Sequence, residues 1–71
     1  MVDKLSELIL DTRKKSKLSR DRLAMLSGIS KTVIYDIEHG KQTVQWLSIQ
    51  KVCRVLNIKI EFKSPFEADG R

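Results

Sequence analysis

Apolar residues recur at intervals of three or four positions in four segments of the chain, which is the spacing of an amphipathic helix. The first segment spans residues 3–15 and begins at Asp3, a residue type suited to an N-cap. The positions predicted to face inward in this segment are Leu5, Leu8, Ile9 and Thr12. The pattern therefore predicts a first helix over 3–15.

Two short segments follow, and each begins at a serine that can cap a helix. Ser19 opens a predicted helix over 19–26, and Ser30 opens another over 30–39. Gly28 lies between them and can adopt the left-handed conformation that closes a helix tightly. Because so short a connection forces the two helices to cross steeply, the pair needs a small residue, a turn glycine and an apolar anchor. The residues that suit these roles are Ala24, Gly28 and Ile34.

A fourth helix is predicted over 45–57, and the period of the pattern changes after it. The inward stripe of this helix consists of Trp46, Ile49, Val52, Cys53 and Leu56. Residues 58–63 then alternate between apolar and charged side chains, which is typical of a half-buried strand. The apolar positions of this strand are Ile58, Ile60 and Phe62. Residues 64–71 are mostly polar and are predicted to form a mobile tail.

The predicted fold is all-α, with a compact four-helix domain over 1–57 and a dimerisation strand over 58–63. A single strand leaves its backbone N–H and C=O groups without partners, and no other segment has the pattern of a second strand. Pairing with the same strand of a second copy about a two-fold axis would satisfy these groups. We therefore expect a homodimer.

The charge balance is compatible with a polyanionic partner. Fourteen Lys and Arg residues against 9 Asp and Glu residues give a formal net charge of +5. Much of the positive charge is concentrated in residues 13–22. Such a cluster suits nucleic acid, but it is equally typical of a solvated basic face, so charge alone leaves both interpretations open.

Other classes of function are disfavoured by the residues present. A single cysteine cannot form an internal disulfide, and Cys53 on the inward stripe is expected to be a core thiol rather than a redox sensor. The sequence shows no nucleophile paired with a base, no metal-ligand cluster and no cofactor motif, and 71 residues leave little room for a substrate pocket. It also contains no signal peptide and no membrane-spanning run. We expect a cytoplasmic protein that is not an enzyme and needs no cofactor or metal.

The second and third predicted helices carry a more specific signal. Their sequence, LSRDRLAMLSGISKTVIYDIEHGK at residues 18–41, resembles the helix-turn-helix of Cro/repressor-type proteins, the XRE family. The matching positions are Leu18-Ser19, Leu23-Ala24, Gly28-Ile29-Ser30, Ile34, Ile37-Glu38 and Gly40-Lys41, with further similarity upstream and downstream as far as Leu56. The resemblance implies a structural ion pair between Arg13 and Glu38. It also implies that the third helix enters the major groove of DNA.

The helical wheel agrees with that placement, because the residues turned away from Ile34 and Ile37 form an outward face. The candidates for contacts to base edges are Lys31, Thr32, Val33, Tyr35 and Asp36. Asp36 departs from the family pattern, in which an amide or a basic residue is commoner at this position. It can accept a hydrogen bond from cytosine N4, or it can pair with a neighbouring lysine instead.

Residues near the helix ends are candidates for contacts to DNA phosphates, which would fix the docking register. These residues are Arg20, Ser30, His39 and Lys41. For His39, beside a glycine, a solvated surface position is the alternative.

The resemblance implies a transcriptional regulator that binds an inverted-repeat operator in double-stranded DNA as a dimer. A strand after four helices is similar to HipB-type antitoxins, which implies autorepression of an operon and binding of a HipA-like serine/threonine kinase toxin. Two alternatives stay open: a stand-alone phage-type or restriction-controller regulator, and a protein-interaction module without DNA binding. A bacterial or phage regulator of this kind is expected in the cytoplasm, associated with the nucleoid through its operator.

Overall fold

The computed structural model describes residues 4–61 and contains four α-helices in this part of the chain. They are α1 (Lys4–Lys15), α2 (Arg20–Ser27), α3 (Lys31–Glu38) and α4 (Trp46–Leu56). Each helix begins one residue after its predicted start, because the predicted ranges included the N-cap. The predicted all-α four-helix architecture is therefore present.

Two serine caps set where α2 and α3 begin. The Ser19 hydroxyl oxygen accepts a hydrogen bond from the Arg22 amide at 3.0 Å, and the Ser30 hydroxyl accepts one from the Val33 amide at 3.2 Å. Each bond satisfies one of the amides that the first turn of a helix leaves without an intrahelical partner. The two caps thus fix the boundaries of the helix pair on either side of its turn.

All four helices end in the same way, with one residue in the left-handed conformation immediately after the helix or one residue beyond. These residues are Lys17, Gly28, Gly40 and Asn57. At the end of α2, the Ile29 amide donates to the Ala24 carbonyl at 3.1 Å, and the Gly28 amide donates to the Met25 carbonyl at 3.3 Å. This is the Schellman arrangement, and equivalent bonds close the other three helices. The chain therefore reverses direction within a few residues after each helix, which lets the short helices pack on one another.

The core lies where α2 packs against α3 and α4, and where α1 covers the same two helices. Its buried apolar residues are Ile9, Leu23, Ala24, Ile34, Ile37, Val52, Cys53 and Leu56. They include the small residue and the apolar anchor that the crossing of α2 and α3 requires, with Ala24 at 6% exposure and Ile34 at 0%.

Two residues predicted to face inward are exposed instead. Leu8 is 47% exposed, because the buried side of α1 runs through Ile9 and Arg13 and leaves Leu8 beside it. Trp46 is 42% exposed, because it is the first residue of α4 and lies at the edge of the core. The prediction that these two side chains belong to the core stripe was wrong.

The predicted strand lies partly outside the described residues, which end at residue 61. Residues 58–61 form no strand in this single chain. Their side chains nevertheless alternate: Ile58 and Ile60 are half-buried against the core, whereas Lys59 and Glu61 are exposed. Phe62 and the predicted tail over 64–71 are outside the described residues, and pairing with a second copy stays a prediction.

No helix in the described part of the chain has the length and apolar character needed to cross a bilayer.

Replacing Gly28 by Ala should lower the free energy of unfolding by about 1 kcal/mol, because an L-residue is strained in the left-handed region. A Cβ at Gly28 would meet no atom within 4 Å, so the loss comes from the backbone alone. Lys17→Gly is the matched control and should have the opposite sign, because it removes that strain at φ 59°. Urea denaturation measures both changes, and a stabilising effect of Gly28→Ala would contradict the argument.

Candidate nucleic-acid interface

The turn between α2 and α3 presents one side of α3 to solvent. Gly28 adopts φ 74° and ψ 30°, which ends α2, and Ser30 begins α3 two residues later. Ile34 and Ile37 face the core from α3, with 0% and 3% exposure. The opposite side of α3 is consequently held outward on a buried support.

Three of the five predicted base-contact residues are exposed on this outward side: Lys31, Thr32 and Tyr35. Val33 is half-buried and packs against the core, so it offers only part of its side chain. Asp36 is half-buried as well, and its carboxylate lies 3.6 Å from the Lys41 ammonium. The lysine partner that the sequence left as an alternative for Asp36 is thus present in the free chain.

An ion pair at the edge of this surface is solvent-exposed. The Lys31 ammonium lies 3.4 Å from the Asp21 carboxylate, and both side chains are more than half exposed. Exposed pairs of this kind are worth about 0–1 kcal/mol, so Lys31 can exchange Asp21 for a phosphate at little cost. The pair between Lys41 and Asp36 is less exposed, because the Asp36 side chain is only 24% exposed.

A buried ion-pair network lies directly behind the outward face. The Arg13 Nε donates to Glu38 Oε2 at 2.5 Å, and Arg13 Nη1 donates to the Leu18 carbonyl at 2.8 Å. The Glu38 side chain is 0% exposed. This network joins the end of α1 to the end of α3, in the pairing that the family resemblance implies.

A third member of the network was not anticipated from the sequence. The Arg20 Nε donates to Glu38 Oε1 at 2.8 Å, so the first residue of α2 and the last residue of α3 share this bond. One carboxylate is therefore held by two guanidinium groups, which leaves an excess of positive charge beside the outward face. The sequence contained a partial signal for this contact, because a buried carboxylate near many basic residues can bind more than one cation. The spacing of residues along the chain does not identify Arg20 as the second cation.

Arg20 also contacts the outward face itself. Its Cζ atom lies 5.3 Å from the centre of the Tyr35 ring, within the range of a cation–π interaction. The side chain remains 32% exposed, and only its Nε is engaged by Glu38. Arg20 is therefore both a structural residue and a cation available at the start of α2.

His39 is exposed, but its ring makes two contacts with Tyr35. Its Nδ1 donates to the Tyr35 carbonyl at 2.8 Å, and its ring stacks on the Tyr35 ring at 3.8 Å. Because a carbonyl can only accept, Nδ1 carries a hydrogen and Nε2 is the ring nitrogen left for a ligand. Nε2 can donate to a phosphate only when the ring is protonated.

The two remaining phosphate candidates lie at opposite ends of α3. Ser30 already accepts from the α3 backbone, and its hydroxyl hydrogen remains available for donation. Lys41 follows the left-handed residue that ends α3, and its side chain is 57% exposed. The structure thus brings Arg20, Ser30, His39 and Lys41 to the ends of the helix pair.

The described residues offer little for other chemistry. Among them, no group of three or more His, Cys, Asp or Glu side chains is arranged to hold a metal ion. Cys53 lies in the core, and burial raises the pKa of its thiol above the ordinary value. A raised pKa lowers the thiolate fraction, so this position favours the core-thiol interpretation over a redox sensor.

Comparison with known proteins agrees with the geometry of the helix pair. A family model described as helix-turn-helix matches residues 9–63. A curated protein from Sinorhizobium fredii (strain NBRC 101917 / NGR234), named as the uncharacterised HTH-type transcriptional regulator y4mF, is 32% identical over 63 residues. The similarity covers 89% of this chain and 83% of that protein.

Replacing Glu38 by Gln should lower the free energy of unfolding by about 3–5 kcal/mol, because Arg13 would be left buried without its counter-charge. Asp21→Asn is the control, since it breaks an exposed pair and should cost less than about 1 kcal/mol. Urea denaturation of both variants gives the comparison. Equal effects of the two substitutions would show that the buried network does not stabilise the fold.

Proposed function

We propose that this chain, which belongs to the helix-turn-helix family, is a transcriptional regulator. It binds DNA sequence-specifically. In this proposal α3 enters the major groove and reads base edges with its outward side chains. Membership of this family makes the chain a binding protein rather than an enzyme. The name of the Sinorhizobium fredii relative, an HTH-type transcriptional regulator, supports the same function.

One observation carries the proposal: α3 presents exposed polar side chains on one side while its other side is locked to the fold. Ile34 is fully buried, and Glu38 is bound by arginines from α1 and α2. A recognition element must be held in place before it meets its ligand, since ordering it afterwards reduces affinity. Buried anchoring of an exposed reading face is what sequence-specific binding requires.

The proposed roles follow the exposure of each side chain. Lys31 suits guanine O6 and N7, Thr32 suits a thymine methyl group, and Tyr35 suits either a base edge or a phosphate. Asp36 would read a cytosine amino group only after separating from Lys41. Val33 plays a smaller part, because it is half-buried.

Phosphate contacts would frame α3 from both ends. Arg20 lies at the start of α2 and Ser30 precedes α3, whereas His39 and Lys41 follow the end of α3. Such contacts set the orientation of the protein on the duplex, whereas the outward face of α3 sets the sequence preference.

The proposed regulator acts as a homodimer that pairs its 58–63 segments across a two-fold axis. Support comes from the alternation of half-buried Ile58 and Ile60 with exposed Lys59 and Glu61. Two recognition helices about 34 Å apart would then reach successive major grooves of an inverted repeat.

The finer proposal is an autorepressor that also binds a HipA-like kinase toxin. It rests on the resemblance of four helices followed by a strand-like segment to HipB-type antitoxins. A kinase-like reading frame beside the gene would support it, and co-purification of that kinase with the chain would test it. A phage-type regulator would lack this neighbour.

Selection of bound DNA from a random pool should return an inverted repeat, and variants should then separate reading from anchoring. Thr32→Ala and Tyr35→Ala should relax the preference at one position of each half-site, with a loss of about 1–3 kcal/mol for the best sequence. Lys41→Ala, made in an Asp36→Ala background so that no freed carboxylate alters base reading, should weaken all sequences alike, because phosphates carry no sequence information. Lys51→Ala, an exposed change on α4, is the control and should leave affinity nearly unchanged.

Salt dependence distinguishes this function from a protein-interaction module. For about 6–10 phosphate contacts per dimer, log affinity should fall against log salt with a slope of about −5 to −9. A flat response would favour the interaction module and would contradict the proposal.

Ile60→Pro should convert the dimer to a monomer, because proline removes the amide that a paired strand donates. Ile60→Val is the control, since it retains the amide and the β-branched side chain. Size-exclusion chromatography with light scattering at micromolar concentration measures both. A wild-type monomer under these conditions would refute the dimer.

A further inference from the structure

A groove on the outer side of α4 plays no part in the proposed contacts to DNA. It offers about 340 Å³ beside α4 and the segment that follows this helix. Its lining residues are Trp46, Gln50, Cys53, Arg54, Ile58 and Ile60. We call this feature the α4 groove. Its walls combine an exposed indole and two half-buried isoleucines with the polar side chains of Gln50 and Arg54.

The backbone along this groove makes few hydrogen bonds to the rest of residues 4–61. The Ile58 amide donates to the Cys53 carbonyl at 2.9 Å and so completes the end of α4. Within residues 4–61, by contrast, the amides of Lys59, Ile60 and Glu61 make no backbone hydrogen bond. A neighbouring strand could therefore add to this segment and would lie against the groove.

Charge and ladder length together select one register for pairing between two copies. Antiparallel pairs centred on Ile60 or on Phe62 place opposite charges across from each other, Lys59 with Glu61 or Glu61 with Lys63. The Ile60 register pairs residues 58–62, whereas the Phe62 register pairs only 61–63 of this segment, so the longer ladder favours Ile60. Centring on Lys59 or on Glu61 places a charge opposite itself, and centring between two residues places apolar side chains opposite charged ones.

The Ile60 register has a consequence for the groove. It places Phe62 of one copy opposite Ile58 of the other, and residues opposite each other in an antiparallel pair share a face. Ile58 lines the α4 groove together with Trp46. We propose that the α4 groove of each copy receives the Phe62 side chain of a second copy, an inference that rests on the dimer proposed above.

The two-fold axis makes this contact twice, once in each groove. The aromatic ring packs in the groove beside Trp46, which is 42% exposed in the single chain. Buried aromatic anchors of this kind contribute a large share of interface energy. Dimer strength is thus predicted to depend on Phe62, outside the recognition helix.

The chain contains one tryptophan and two phenylalanines, which allows a direct test by NMR. Mixed dimers of ¹³C,¹⁵N-labelled and unlabelled protein should give isotope-filtered NOEs between the Trp46 indole of one copy and a phenylalanine ring of the other. These cross-peaks should vanish in Phe62→Leu and persist in Phe66→Leu, the matched control. NOEs found only within one copy would mean that the chain fills its own groove, and would overturn the proposal.

A binding measurement separates failure of this proposal from failure of the dimer. Phe62→Ala removes the contact from both grooves and should raise the dimer dissociation constant about 1000-fold, or about 30-fold for each hot spot lost, whereas Phe66→Ala should change it little. An unchanged dissociation constant in Phe62→Ala would overturn the groove contact while the dimer and DNA binding stand. A wild-type monomer at micromolar concentration would overturn both the dimer and the groove contact, and leave the assignment of α3 as the reading helix intact.

Discussion

The Glu38 carboxylate is removed from water, and burial of a lone charge of this kind is prohibitively costly unless cations and hydrogen bonds surround it. Arg13 and Arg20 supply both, from the end of α1 and the start of α2. Because the three side chains belong to three different helices, the network is satisfied only when all of them are in their native positions. The orientation of α3 relative to its neighbours is therefore tied to an electrostatic requirement as well as to apolar packing.

This arrangement connects the interior of the fold to its outward surface. Arg20 binds the buried carboxylate with one nitrogen and lies over Tyr35 with the rest of its guanidinium group. Tyr35 in turn stacks on His39, whose ring is held by a backbone carbonyl. A continuous series of contacts thus runs from the buried Glu38 carboxylate through Arg20 to Tyr35 and His39. Three of the side chains proposed to meet DNA, Arg20, Tyr35 and His39, are consequently less free than their exposure suggests.

Much of the fold could be predicted from local signals. Ser19, Ser30 and Gly28 mark the helix pair because capping oxygens and a left-handed glycine act within a few residues of their own position. Lys17 and Asn57 adopt the same left-handed conformation, which asparagine tolerates better than most residues and which the residue type of Lys17 does not predict. Local patterns thus predicted the ends of all four helices to within one residue, but they predicted a left-handed residue only where glycine is present.

The candidate site divides in the same way. The outward face of α3 follows from helical periodicity, and the pairing of Arg13 with Glu38 follows from family resemblance. The bond from Arg20 to Glu38 depends on how α2 and α3 cross in space, which no spacing in the sequence encodes. Likewise, Leu8 and Trp46 have apolar side chains at helical intervals but lie beyond the edges of a small core. Helical periodicity predicts the direction in which a side chain points. It does not predict how far the core extends along the helix.

The separation of α3 into a locked side and an open side has an evolutionary consequence. Exposed Lys31, Thr32 and Tyr35 contribute little to the core, so mutation can replace them without unfolding the domain. Substitution of Ile34 or Ile37 would instead destabilise the fold, because each side chain fills buried volume. Lineages that share this scaffold can therefore acquire new ligand preferences through a handful of substitutions, while the architecture that displays them is inherited unchanged.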